Sequence, residues 1–168
     1  MTASAHSFPL DFAAISFLIV DDQPFTRRIV RSILHGFGSR DVLEAANGAE
    51  ALELTRTRMP NIIITDLIMP DFGGLKFIKM MKAPQAPTRT IPVIVLSGYL
   101  TKSAAIELNR CGAQELLAKP VSPKALYEHI SRIVLRSNQA SAPMAFVQNQ
   151  RRHADLQHKR KAGELAAV

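Results

Sequence analysis

Three carboxylates, a hydroxyl and a lysine stand where this sequence leaves its apolar runs. Asp21 and Asp22 follow residues 14–20 (Ala-Ile-Ser-Phe-Leu-Ile-Val), and Asp66 follows Asn-Ile-Ile-Ile-Thr at 61–65. Ser97 closes Ile-Pro-Val-Ile-Val-Leu, and Lys119 follows 114–118. In a parallel sheet, polar residues at the carboxyl ends of strands collect along one edge. Three carboxylates gathered there repel one another and call for a cation, and an oxygen-only cluster with room for water suits Mg²⁺. Such a metal neutralises phosphoryl oxygens, and Lys119 and Ser97 are the groups to hold the others. That is phosphoryl-transfer chemistry by charge and positioning, with a carboxylate as nucleophile. Taken singly, each residue is equally a turn cap or half of a surface ion pair. The five together carry the chemistry.

The elements needed to bring them together can be read from period and punctuation. Four of the five residues at 61–65 are β-branched, which marks a strand buried on both faces. Met69-Pro70 and Gly73-Gly74 then turn the chain. Upstream, 14–20 reads as a first buried strand. Pro24 suits the first turn of a helix. Phe25, Ile29, Ile33 and Phe37 recur at helical spacing and predict its apolar face, with Gly36 and Gly38 as its stop. A short strand follows at 41–46. Asn47-x-x-Glu50 is a capping box for a second helix that runs to about Arg58 and ends at Pro60. Residues 75–82 predict a third helix, 83–90 a loop with two prolines, and 91–97 a further buried strand. Thr101 caps a fourth helix to Cys111-Gly112, 114–118 is a fifth strand, and Ser122-Pro123 opens a fifth helix. The apolar face of that helix is Leu126, Ile130, Ile133 and Val134. Five strands alternating with five helices, joined by right-handed crossovers, make an α/β fold: one five-stranded parallel sheet with helices on both faces.

Composition bounds the rest. The 168 residues suit one domain with a tail, and 47% hydrophobic content suffices for a core. One cysteine, Cys111, rules out an internal disulfide and points to a reducing compartment. No apolar run approaches the ~18 residues of a membrane span. No basic-then-apolar leader opens the chain, so the expectation is a soluble, cytoplasmic protein without a membrane span. The net charge is +7. Residues 1–136 hold 16 Lys/Arg and 12 Asp/Glu, and 137–168 hold 5 and 2, so the tail is the more basic per residue. The chain therefore divides into a lead-in (1–13), a folded domain (14–136) and a basic C-terminal arm (137–168).

Val20-Asp21-Asp22, Arg27-Arg28-Ile29-Val30-Arg31, Asp66 with Met69-Pro70 and Gly74, Val95-Leu96-Ser97-Gly98 and Lys119-Pro120 occur in one order and spacing. Together they resemble a response-regulator receiver domain, closest to the single-domain chemotaxis type, over residues 14–136. The resemblance implies a flavodoxin-like (βα)₅ fold. It implies that Asp66 accepts a phosphoryl group and is a metal ligand together with Asp21 and Asp22, the acidic pair that holds Mg²⁺, one directly and one partly through water. The Ile68 backbone carbonyl would be a further metal ligand. Lys119 would pair with the acceptor carboxylate and then the phosphoryl group, and Ser97 would bond a phosphoryl oxygen and draw its loop inward. The implied donor is a histidine kinase or phosphotransfer protein. The implied output is a protein–protein contact, as at the flagellar motor, made by the fourth helix, fifth strand and fifth helix.

Two positions depart from the family pattern. Leu116 stands three residues before Lys119, where an aromatic switch is common, and Tyr99 is the nearest aromatic. Ile68 makes the space beside the phosphoryl group more apolar, which would slow access of the hydrolytic water. No helix-turn-helix or zinc-finger pattern is visible after Arg136, so the expectation is a stand-alone regulator, not an enzyme, with no DNA-binding domain. Three readings of the arm stay open. It is a solubilising tail, or a basic docking arm, or a cyclic di-GMP sensor. The last rests on Arg151, Arg152 and Asp155: Arg-x-x-Asp resembles a motif of cyclic di-GMP receptors, in which arginine offers a planar fork to guanine and phosphate and aspartate accepts from guanine donors. The alternative function is thus a cyclic di-GMP-binding adaptor whose arm is the main sensor. A small-molecule α/β enzyme is disfavoured, because no Gly-rich phosphate loop or Ser-His-Asp arrangement is present.

Overall fold

The computed structural model describes residues 10–99 and 101–139. A short 3-10 helix (Phe12–Ala14) precedes β1 (Ser16–Val20), α1 (Pro24–Gly36), β2 (Asp41–Ala45), α2 (Gly48–Arg58), β3 (Ile62–Asp66), α3 (Gly74–Met81), β4 (Val93–Ser97), α4 (Lys102–Arg110), β5 (Glu115–Ala118) and α5 (Pro123–Gln139). The strands form one parallel sheet in the order β2-β1-β3-β4-β5. All residues of β1, β3 and β4 are buried, whereas β2 and β5, at the edges, are partly open.

Period-two alternation splits each central strand between two cores. Phe17, Ile19, Ile62, Ile64, Ile94 and Leu96 face one side and pack with Val30 and Leu34 of α1 and Leu126 and Ile130 of α5. Leu18, Val20, Ile63, Val93 and Val95 face the other and pack with Ala51, Phe77, Ile78 and Leu108 of α2, α3 and α4. The continuous apolar runs are therefore strands covered on both faces, as their composition predicts. The caps are also as expected. Asn47 Oδ1 accepts from the Glu50 N–H, Thr101 from Ala104, and Ser122 from Ala125. Glu50 reaches back to the Ala46 N–H at 2.7 Å, one residue earlier than the reciprocal partner of a capping box.

The face predicted for α1 is corrected. Phe25 is 70% exposed and Ile29 38%, while Val30 and Leu34 are fully buried and Ile33 and Phe37 only partly. A row at i+4 spacing drifts by about 40° per step on a helix of 3.6 residues per turn. The row from Phe25 to Phe37 thus winds around the helix, and only its last half reaches the core. The i, i+3, i+4, i+7 set 30, 33, 34, 37 is the face that packs. Part of the lead-in belongs to the core: Phe12 is buried and packs among Phe17, Phe37 and Tyr127, with centroids 5.1–6.3 Å apart. At the other end α5 runs three residues past Arg136.

Candidate functional site

The parallel register sets the ends of β1 and β3 side by side, with Val20 opposite Thr65. The next residue of each chain is an aspartate. Asp21 has no exposed surface, Asp66 is 6% exposed and Asp22 is half-buried. One oxygen from each of the three lies within 4.8 Å of the others. The Lys119 ammonium, delivered by the end of β5, is 2.9 Å from Asp21 Oδ2 and 3.0 Å from Asp66 Oδ2. Burial pulls the Lys119 pKa down, but the hydrogen bonds and charge of Asp21 and Asp66 outweigh it and hold the pKa above 10.5. Three carboxylates against one ammonium leave an excess of two negative charges in a mostly buried, all-oxygen site. That donor set fits a hard dication such as Mg²⁺. Asp21, Asp22 and Asp66 would hold it.

Asp21 and Asp66 are placed by nearby backbone and side-chain groups. Asp21 Oδ1 accepts from the Gln23 N–H at 2.8 Å. The Asp21 carbonyl accepts from Arg27 Nη1 at 2.7 Å. Asp66 Oδ1 lies 3.5 Å from the Ile68 N–H, and the Asp66 carbonyl accepts from the Thr65 hydroxyl at 3.0 Å. After Asp66 the chain doubles back so tightly that a Cβ on Gly74 would fall 2.0 Å from the Asp66 carbonyl oxygen. Only glycine fits there. The sequence marks Gly74 as a turn residue, but its closeness to Asp66 is a tertiary fact that spacing does not signal. The same holds for Arg27, which a sequence shows only as one arginine among several.

Ser97 is at the edge too, yet its hydroxyl does not meet the carboxylates. It donates to the Tyr99 carbonyl at 3.0 Å and accepts from the Tyr99 N–H at 3.2 Å. The link to Lys119 is through backbone, Lys119 N–H to Ser97 carbonyl at 2.9 Å. Tyr99 and Ile68 project into solvent, and Leu116 is half-buried against the second core. Arg151, Arg152 and Asp155 lie outside the described residues. Among the described residues no helix is long and apolar enough to cross a membrane.

A model of the response regulator receiver domain matches residues 17–131. The chain is 34% identical to the chemotaxis protein CheY1 of Helicobacter pylori over 125 residues, covering 74% of this chain and 99% of that protein. It is 38% identical over 107 residues to a protein-glutamate methylesterase/protein-glutamine glutaminase of Paramagnetospirillum magneticum, a match that spans 63% of this chain and 29% of the enzyme. Among solved structures, the chemotaxis protein CheY4 of Vibrio cholerae superposes with a TM-score of 0.66 at 30% identity, over 70% of this chain and 97% of that one.

Proposed function

The chain belongs to the response-regulator receiver family of two-component signalling, and on that premise we propose that Asp66 is its phosphoryl acceptor. A phosphohistidine on a histidine kinase or phosphotransfer protein is the donor. An Asp66 oxygen attacks phosphorus, the phosphorus–nitrogen bond breaks with its electron pair going to that nitrogen, and the imidazole, already protonated on its other nitrogen, leaves as the neutral ring. When bound, Mg²⁺ supplies charge neutralisation for the phosphoryl oxygens. Asp21, Asp22 and Asp66 would hold it, and the Ile68 carbonyl is the further oxygen we assign to it. Lys119 carries the rest of the load: its ammonium already bridges Asp21 and Asp66, so it stands within reach of an oxygen on the new acyl phosphate. That bridge, in a cluster of three carboxylates, is the observation that best supports the reading.

Phosphorylation then shifts the population of two states of the β4–α4 loop. Ser97 is the hinge of this step. To bond a phosphoryl oxygen, its hydroxyl must leave the Tyr99 carbonyl, and the loop follows. The resulting change alters binding to a protein target, in keeping with the chemotaxis relatives, and the flagellar motor is the target we propose. The protein acts in the cytoplasm as a signalling protein, not as an enzyme. The test is phosphorylation with a small phosphoramidate and Mg²⁺, read by intact mass. We expect the gain of one phosphoryl group in the native chain and none in Asp66→Asn. Equal labelling of the two would overturn the assignment.

A second input is proposed on the sequence motif of the arm. Arg151, Arg152 and Asp155 bind cyclic di-GMP, and calorimetric titration of the nucleotide into the 168-residue chain and an R152A/D155A variant tests it. Equal heats, or none in either, would remove the nucleotide and leave a phosphorylation-driven receiver.

A further inference from the structure

Asp22 is the carboxylate of the cluster that nothing holds by its side chain. Asp21 is fixed by the Gln23 N–H and by Lys119, and Asp66 by Lys119 and the turn at Gly74. Among the described residues Asp22 has no hydrogen bond or ion pair of its own, and it is only half-buried. Its place depends on the peptide unit that joins it to Asp21. A peptide is planar, so fixing the Asp21 carbonyl oxygen fixes the direction in which Asp22 leaves.

Arg27 fixes that oxygen. Its Nη1 donates to the Asp21 carbonyl at 2.7 Å, and its Nε donates to Glu44 Oε2 at 3.1 Å. Glu44 stands on β2 beside Ile19 of β1. Its other oxygen is taken by Arg31 Nη1 at 2.8 Å. The Arg27 side chain is only 17% exposed. The guanidinium thus works as a rigid two-pronged strut from the edge strand to the β1–α1 turn. A lysine has the charge but not the fork, so it cannot serve both acceptors in this geometry. Glu44 carries one negative charge against the two positive charges of Arg27 and Arg31, so a lysine at position 27, which keeps the charge and loses the fork, separates position from charge.

We propose that Arg27 is a positioning residue for the metal half of the site: by bracing the Asp21 carbonyl against Glu44, it aims Asp22 at the cation. The inference rests on the receiver reading for the existence of the Mg²⁺ site. Residues that orient metal ligands in this way commonly change affinity by about 10–100-fold when replaced.

The test is calorimetric Mg²⁺ titration of the intact chain and of Arg27→Ala, Arg27→Lys and Arg31→Ala, with thermal unfolding measured in parallel. Arg31 touches Glu44 but not Asp21, so its loss separates the ion pair from the carbonyl brace. We expect both Arg27 variants to weaken Mg²⁺ by about tenfold or more and Arg31→Ala to stay within about twofold. Where Arg27→Ala does not fold, Arg27→Lys carries the test. Three results would overturn the proposal: affinity unchanged or raised in both Arg27 variants, affinity kept by Arg27→Lys alone (a charge role), or a loss as large in Arg31→Ala. A lowered thermal midpoint with native Mg²⁺ affinity also makes Arg27 merely structural. Absence of Mg²⁺ binding in the native chain is a different failure. It removes the metal site itself, and the proposal with it.

Discussion

At the β1 and β3 ends of the sheet, two of the three carboxylates are braced through their own side chains or carbonyls: Asp21 by Gln23, Arg27 and Lys119, and Asp66 by Lys119 and the glycine turn. At the β4 end, the Ser97 hydroxyl bonds only within its own loop, and Tyr99 beyond it is 84% exposed. The two regions share one edge and differ in how many partners fix each side chain. A site that must present three like charges to a cation without rearranging needs the first kind of construction. A segment that must change partners when a phosphoryl group arrives needs the second, because few buried contacts hold it in one state. Lys119 belongs to both, since its side chain serves the carboxylates and its backbone N–H holds the Ser97 carbonyl.

The comparison can be broken most forcefully at the braced end. Gly74→Ala forces a methyl onto the Asp66 carbonyl. We expect a stability loss of about 3 kcal/mol in chemical denaturation, together with slower phosphorylation. A loss below about 0.5 kcal/mol would mean that the turn after Asp66 is compliant and the braced description wrong.

Lys119→Met comes next. It leaves Asp21 and Asp66 buried against each other without a cation. We expect the protein in chelator to lose about 1–3 kcal/mol, the figure reduced because Lys119 is partly solvated. Added Mg²⁺ should restore more stability to this variant than to the native chain. An equal Mg²⁺ response would show that the lysine and the metal act independently.

Ile68→Asn sharpens the contrast in kinetics. Ile68 is an exposed apolar residue two positions past Asp66. An amide there can orient a water that isoleucine cannot. The phosphoryl lifetime should shorten by roughly three- to tenfold, about 1 kcal/mol of barrier. A lifetime as long as that of the native chain would dismiss the apolar shield.

The smallest effect lies away from both regions. Lys82 donates to the Arg89 and Ile91 carbonyls at 2.8 and 2.7 Å. Burial, reinforced by the Arg89 charge, lowers its pKa from 10.5 to about 8. The folded chain therefore gives up this proton before the unfolded chain does. Between pH 8 and 10.5 the unfolded state holds more protons, so stability from this group rises with pH. Relative to Lys82→Met, the native chain should gain stability across that window, measured by denaturant midpoints. A constant difference would place the lysine in ordinary solvent.

Much of this molecule was legible in the sequence, and the gaps have physical reasons. The β-branched run before Asp66 and the mixed apolar run before Asp21 identify buried strands, because both faces of a central strand must be apolar. Asn47, Thr101 and Ser122 mark helix starts, because an orphan N–H takes the nearest side-chain oxygen. The buried face of α1 is not legible in the sequence, because Phe25 and Ile29 are as apolar as Val30 and Leu34, and an i+4 row cannot reveal where it leaves the core. The burial of Phe12 carries no sequence signal, because one aromatic has no period. Those are failures of local pattern before a tertiary choice.

The sequence by itself determined which residues end the strands, and so which chemistry the edge can hold: carboxylates from two strands, a hydroxyl and a lysine from the others. Only the tertiary structure decided their spacing and their partners. The Lys119 bridge spans 98 residues of chain, the Arg27 strut ties α1 to β2 and to the turn after β1, and the Ser97 hydroxyl turns into its own loop. Such contacts depend on register and side-chain direction in three dimensions, which residue types along a line constrain but do not fix.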